Sequence, residues 1–560
     1  MPAPMMSTMR TARLLPFLTA ALAATFLSLA GCDGKPEEPA GPAAGGAAET
    51  PRRGGTVVLG WTAEPASINE AISPASTVTD EVLFRMFLHL VEEQPDFERH
   101  PPTFAPQLAQ SYEWSADHKA LTFHLRRDAV WSDGVPITAE DVRWSWQVYT
   151  HPEVAWDSSF MKEGIKDVEV VDPHTVRFHY DRVYAKQLLD ANEGVILPKH
   201  AWGKLPFAQW RESNDWFRQN AVFSGPFVLD SWTPQQEIVL RRNERYFEKD
   251  RPYLDRVVFR IIPDASSLMA QFFAHQLDFV PQIVNPADAR RVAADPDLEL
   301  VGYWFRLAVA VSWNLENPLF ADSDVRRALT LAMDRQAMVD TLWGEFARVG
   351  DSPIVANVWA HDPELDPWPY DPAEASRILA AKGWKDSDGD GVLDRGGKPF
   401  SFVLTSNAGN QSRNDAAVMI QEQLKRIGVR VEPRILEFNT LLDDADTGRY
   451  EATIIGLGMD TSLDLTGYLH SKAIDEGSNY PRYRNSEIDR LIDRSMAYPD
   501  IQEAAADLHR IQQLAHRDLP YTFLWESQRL VGFNRRVRGA EPNLLFTLFN
   551  LDEWWVLPRS

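Results

Sequence analysis

The stretch Leu121-Thr-Phe-His-Leu-Arg-Arg-Asp-Ala-Val-Trp-Ser-Asp-Gly134, followed by Ile137-Thr-Ala-Glu-Asp-Val142, decides how the chain is read. Leu121, Phe123 and Leu125 alternate with Thr122 and His124, the period of a half-buried strand. Trp131-Ser-Asp-Gly134 is a turn. Thr138 is placed to cap a helix, with Asp141 in the first turn, where the N-terminal dipole favours an acid. Val142, Trp146 and Tyr149 form the apolar face of that helix.

Working outward, Thr56–Gly60 is a β-branched strand, and the spacing of Val82, Leu83, Met86, Phe87, Leu90 and Val91 predicts a helix over Thr79–Val91. Val168–Val171 and Thr175–His179 read as a hairpin. Ser224–Leu229, Glu237–Arg241 and Val257–Ile262 are further strands. The spacing of Val325, Leu329, Ala332, Met333 and Val339 predicts one long helix over Asp324–Trp343. Asp371-Pro372 starts a helix that ends at Gly383, with Asp as cap and Pro in the first turn. Ala416–Ile427 is a helix stopped by Gly428, and Val429–Glu432 follows as a strand. Ser486–Met496 and Ile501–His516 are helices. Strands and helices intermix throughout without an internal repeat, so the fold class is α/β with mixed sheets.

The chain has 560 residues, enough for two or three packed domains. With 80 acidic against 57 basic residues the formal charge is −23. Such a surface repels phosphate backbones and argues against a nucleic-acid partner. A single cysteine, Cys32, excludes an internal disulfide and a cysteine-built metal centre.

The position of that cysteine carries meaning. Arg10 and Arg13 precede a 17-residue apolar run, Leu14–Ala30. A spanning helix wants about 20 apolar residues, so the run reads as the core of a signal peptide. It ends in Leu29-Ala30-Gly31-Cys32, which resembles the bacterial lipobox. Residues 1–31 are therefore expected to be a lipoprotein signal peptide, with Cys32 lipidated. Of residues 33–55, 15 of 23 are Gly, Pro or Ala, the composition of a flexible leash. Asp33 resembles the inner-membrane retention signal of enterobacterial lipoproteins.

No phosphate-loop, zinc-protease or serine-hydrolase motif is present. His509 and His516 lie seven apart on one predicted helix, as a two-ligand metal pair or a solvated face. Asp386, Asp388 and Asp390 open like a calcium loop with Asp394 at its ninth position, but Gly397 stands where the bidentate Glu belongs. The loop is therefore a weak calcium site or a polar turn. In Ile454-Ile-Gly-Leu-Gly-Met-Asp460 an apolar strand runs through Gly456 and Gly458 to a carboxylate. The glycines let a ligand approach the backbone and Asp460 can pair with an ammonium group, or Asp460 caps a helix.

Several segments together resemble the family 5 solute-binding proteins, the peptide- and nickel-binding receptors of ABC importers. They are Leu108-Ala-Gln-Ser-Tyr-Glu-Trp114, the opening stretch itself, Ser224-Gly-Pro-Phe227, Leu240-Arg-Arg-Asn-Glu-Arg-Tyr-Phe247, Val325-Arg-Arg-Ala-Leu329 with Ala332-Met-Asp-Arg335, and Gly477-Ser-Asn-Tyr480 with Glu487-Ile-Asp-Arg-Leu-Ile492. The matches run in order over nearly the whole chain. The resemblance implies a two-lobed periplasmic-binding-protein clamshell with an extra inserted domain. After a linker over 32–53, lobe I would combine 54–88, 223–297 and 526–560. Residues 89–222 would be the insertion and 298–525 lobe II, with crossings near 298–303 and 520–527 as the hinge.

The resemblance also implies function. The chain would be an exported, lipid-anchored, monomeric receptor without a cofactor. It would capture a peptide-like solute for an inner-membrane permease at the periplasmic face. Family peptide receptors hold the ligand ammonium with an Asp in a Gly-Trp-x-x-Asp stretch, which corresponds here to Asp460, with Leu457 replacing Trp and with Gly458 and Met459 beside it. Asn407 stands where dipeptide receptors place a carboxylate-binding Arg, and Asn donates only a neutral hydrogen bond. That departs from a strict dipeptide receptor and leaves a longer peptide with a solvated C-terminus, a sugar or another amine-bearing solute open. Trp61, Trp304 and Trp313 are cleft walls or core residues. The alternatives are a same-fold receptor for an oligosaccharide, a nickel chelate (with a histidine such as His470 facing it) or haem, an envelope interaction protein that lost transport, and an exported hydrolase.

Overall fold

The computed structural model describes residues 50–74 and 76–559; Cys32, Asp33 and the expected signal peptide lie outside them. The opening stretch forms locally. Asp141 Oδ2 accepts the Thr138 N–H at 2.9 Å and its hydroxyl at 3.2 Å, and the helix runs Ala139–Tyr149. It packs on a four-stranded antiparallel sheet ordered Ala109–Trp114, Ala120–Leu125, Thr175–Tyr180, Ile165–Asp172.

Two expected helices differ. The helix over 79–91 is only Thr77–Leu83, and Val91–Glu93 is a strand. Beyond Phe84 the helix ends in turn bonds, Met86 N and Phe87 N donating to Leu83 O, and the following carbonyls bond to distant loops. Met86 O accepts from Gly225 N at 2.7 Å and Leu88 O from Ile196 N at 2.9 Å. The long helix over 324–343 is two, Ser323–Leu331 and Arg335–Leu342. Asp334 restarts it by capping Ala337 N at 3.0 Å, while its own N–H is taken by Gln423 Oε1 at 2.9 Å.

An eleven-stranded mixed sheet forms the frame. At its centre the 16-residue strand Leu298–Trp313 lies antiparallel to the 14-residue strand Tyr521–Asn534. Leu298–Trp304 pairs with Gln528–Asn534, and Ala308–Ser312 with Tyr521–Glu526. The register slips between Trp304 and Ala308, a bulge that bends a strand. On the first half the sheet continues through Phe279–Val280, Thr56–Trp61, Arg256–Ile261, Glu237–Arg242 and Phe227–Thr233. On the second it continues through Ala452–Gly458, Ser401–Asn407 and Arg430–Leu436.

The side-chain period of two sorts this second half into two cores. Val309, Val311 and Trp313 enter one, with the helices Ser323–Leu331, Pro372–Ala381 and Gln411–Lys425. Ala308 and Ala310 enter the other, with Ile455, Leu457, Ile488 and Ile511. A third core joins the four-stranded sheet to Thr56–Trp61 and to Trp554 near the C-terminus. A fourth packs Leu268, Phe272, Ala289 and Val292 under Leu298. Two pieces cross this division. Phe97 is fully buried among Ile354, Val355 and Val358, with its carbonyl accepting from Trp359 N at 3.2 Å, and Leu544 and Leu545 join the same core.

Candidate functional site

The strand Ala452–Gly458 runs antiparallel to Leu307–Trp313 and ends at the carboxylate of interest. Ile455, Leu457 and Met459 sink into a core and anchor the strand. Gly456 and Gly458 face the other way. A Cβ on Gly456 would meet the Arg413 guanidinium, so the glycine lets that guanidinium pack close against the strand. Asp460 is exposed. Its Oδ1 accepts from the Ser462 N–H at 3.0 Å and from the Ser462 hydroxyl. Among the described residues its second oxygen takes no hydrogen bond. The turn therefore fixes one oxygen and leaves the other free for a ligand donor.

Acids from a different part of the chain face this turn. The Thr461 hydroxyl lies against the Glu93 carboxylate. Among the described residues, Glu93 Oε1 is buried without a hydrogen-bond partner. Burial pushes Glu93 up to about 7 against the pull of Thr461 and Arg306, and Asp460 adds to the rise. Burial also raises Glu193, whose carboxylate feels the Asp460 charge. Arg306 comes from the register slip of the central strand. It is spent on carbonyls, donating Nε to Leu544 O at 3.2 Å and Nη1 to Met459 O. Burial lowers its pKa.

Glu93 and Glu193 line a cavity of about 430 Å³ that reaches Asp80, Phe84, Tyr246 and Phe546. A second cavity, of about 560 Å³, lies between Phe160, Tyr184 and Lys186 on one side and Asp464, Asp493 and Met496 on the other. Beside it Ala185 N donates to Met496 O at 3.1 Å.

The other expected site residues are distributed differently. Trp61 and Trp313 are core residues, not cleft walls. Trp61 is 3% exposed, with its ring edge-on to Phe259 at 5.6 Å. Trp313 is fully buried, 4.9 Å from Phe320, and donates Nε1 to Thr522 at 2.9 Å. Trp304 is half-buried at the register slip, under the Arg348 guanidinium at 4.1 Å. Asn407 is buried, and its amide is already used: Nδ2 donates to Ala408 O at 3.1 Å and Oδ1 accepts from Arg413 Nη1 at 3.0 Å. It supports an arginine instead of replacing one. His470 is buried against Asp489 and Asp493, 3.6 and 3.5 Å away. His516 stacks on Trp368 at 5.2 Å and does not pair with His509. Asp386, Asp388 and Asp390 cluster on an exposed turn. Asp386 accepts from Gly389 N at 2.7 Å and Asp394 from Ser387 N at 2.9 Å, so the carboxylates close the turn themselves.

The sequence reading missed Arg413, Glu93 and Glu193. Arg413 had a signal. It sits in the first turn of the helix Gln411–Lys425, where the dipole disfavours a cation. Its Nε is buried without a partner, and burial lowers it to about 10. Glu93 and Glu193 had none, because only tertiary packing brings them together.

Comparisons with known proteins converge on one group. The model of the bacterial extracellular solute-binding proteins, family 5, matches residues 103–479. The oligopeptide-binding protein AppA of Bacillus subtilis is 32% identical over 515 residues, covering 90% of this chain and 92% of that protein. The structure of that AppA with a nonapeptide superposes with a TM-score of 0.75 at 30% identity, over 91% of this chain and 100% of that one. NikZ of Campylobacter jejuni, in complex with Ni(L-His), shares the fold with a TM-score of 0.76 at 23% identity, over 89% and 99%. The neighbours are two-lobed binding proteins, and the family consists of receptors for solutes. No helix among the described residues is long and apolar enough to cross a membrane. The chain thus belongs to the bacterial extracellular solute-binding proteins of family 5.

Proposed function

We propose that the chain is the receptor of an ABC importer and captures a peptide-like solute, with Asp460 holding the ligand ammonium. One observation carries this reading: the free Asp460 oxygen at the end of a glycine-bearing strand, beside a cavity with uncompensated acids. The relative at 32% identity, named for oligopeptide binding, supports the ligand class. The chemistry is capture without bond making, so the chain is not an enzyme in this reading.

Lobe I comprises 54–88, 223–297 and 526–560 with the insertion 89–222, and lobe II comprises 298–525. The crossings near 298–303 and 520–527 form the hinge, and the register slip between Trp304 and Ala308 lies beside the first of them. In the closed form Glu93 lies against Thr461 and Ala185 N donates to Met496 O. A ligand shifts the open–closed balance only by its preference for the closed form. A permease then reads the closed shape. Lipidated Cys32 and the linker to residue 53 tether a monomeric body to the envelope, at the periplasmic face of the inner membrane. Changing Cys32 to Ser should release the body into the soluble fraction; a protein still in membranes refutes the tether.

Native mass spectrometry of the purified protein tests the ligand class. The expected result is a co-purifying peptide, lost on Asp460→Ala. A sugar, a haem or a nickel chelate in its place rejects the peptide reading.

A further inference from the structure

The cavity beside Asp460 has too few cations for its acids. Eight carboxylate side chains line it, against Arg85 and Arg251. Arg251 is shared by Glu248, Asp552 and Glu553, at 3.6, 3.7 and 2.6 Å. Arg85 spends Nη1 on carbonyls, donating to Leu548 O at 2.8 Å and Phe549 O at 2.6 Å. Asp80, Glu92, Glu93 and Glu193 form no ion pair among the described residues. The cations just outside are committed as well. Lys162 Nζ donates to Asp190 O at 2.5 Å and Glu193 O at 2.6 Å, and Arg306 to Leu544 and Met459 carbonyls.

Burial first, and then the charge of neighbouring carboxylates, pushes Asp80 up to about 8 and Glu92 and Glu93 to about 7. These carboxyls form no ion pair among the described residues, so burial favours their protonated form and a cation brought beside them favours the charged one. The orphaned Glu93 Oε1 marks where a donor is missing. The walls are not purely acidic. Phe84 and Phe546 meet edge-to-face at 5.3 Å, and Tyr246 and Phe549 also line the space. An apolar wall beside carboxylates suits a long methylene stem ending in a cation.

We propose that this cavity is a second cation subsite, taking a lysine or arginine side chain of the ligand whose ammonium Asp460 holds. The subsite rests on the peptide reading above and adds a preference: the ligand is a basic peptide. Glu93 and Glu193 sit on the Asp460 side of the cavity and receive the cation; the aromatic rings hold its stem.

Calorimetry at pH 8 with pentapeptides tests it. The probes are penta-alanine and its variants with lysine, or its uncharged isostere norleucine, at positions one, two or three. At least one lysine peptide should bind ten or more times tighter than its norleucine partner. That ratio should fall below threefold in Glu93→Gln and in Glu193→Gln. Both changes remove a carboxylate that forms no ion pair among the described residues, and thermal melts verify folding. Equal binding of lysine and norleucine peptides at every position overturns the subsite and leaves the peptide reading standing. A preference that survives both substitutions also overturns it. If no pentapeptide binds at all, the peptide reading falls and the subsite with it.

Discussion

Changing Asp460 to Asn isolates the charge on which the proposed capture depends. Asn keeps an oxygen that can accept from the Ser462 N–H and hydroxyl, so the turn is retained. What is lost is the charge offered to the ligand ammonium by the second oxygen. A hydrogen bond to a charged group contributes about 1.5–3 kcal/mol. At about 1.4 kcal/mol per tenfold, affinity should fall about 10- to 150-fold. Asp460 is exposed and Glu93 and Glu193 stand nearby, so the lower end applies in the open form and the upper end once closure excludes water. The assay is calorimetry with a pentapeptide and its desamino analogue against both proteins, forming a double-mutant cycle. Loss of the amine and loss of the carboxylate should not add, with a coupling of about 1.5 kcal/mol or more, because each removes the same pair. Additive losses, or a loss under about threefold for the intact peptide, refute the assignment.

Three further outcomes follow from packing and charge. Phe97→Ala should cost about 3–5 kcal/mol in urea unfolding, because the ring is fully buried in a core supplied mostly by residues 308–523; a loss under about 1 kcal/mol refutes that docking. Stability should fall as pH rises from 5.5 to 8.5. Burial lifts Asp552 to about 6, Glu92 and Glu93 to about 7 and Asp80 to about 8, so the folded state holds protons that the unfolded state has released. The contribution is complete below the unfolded values and lost through the folded ones; a flat or rising profile refutes it, and Glu92→Gln with Glu93→Gln should flatten the fall. Arg413→Gln should weaken a free-carboxylate peptide about tenfold more than its C-terminal amide, because Arg413 is a buried guanidinium without an acidic partner among the described residues; equal weakening refutes a carboxylate role.

The sequence by itself determined what depends on neighbours along the chain. The Thr138–Asp141 cap, the Asp371-Pro372 start with Asp371 accepting from Glu374 N, and the alternation in Leu121–Leu125 are local bargains between a side chain and nearby backbone. They hold in any tertiary setting. The order of segments likewise made the family legible before any coordinates. Periodicity could not say where Asp324–Trp343 breaks, because Gln423, about ninety residues on, competes for the Asp334 N–H. Nor could it say which tryptophans face open space. Trp61 and Trp313 are buried because strands distant in sequence supply Phe259 and Phe402. Only the tertiary structure set Glu93, Glu193 and Arg306 around Asp460. The burial that raises carboxylate pKa values belongs to the whole packed volume, and no short stretch of chain encodes it.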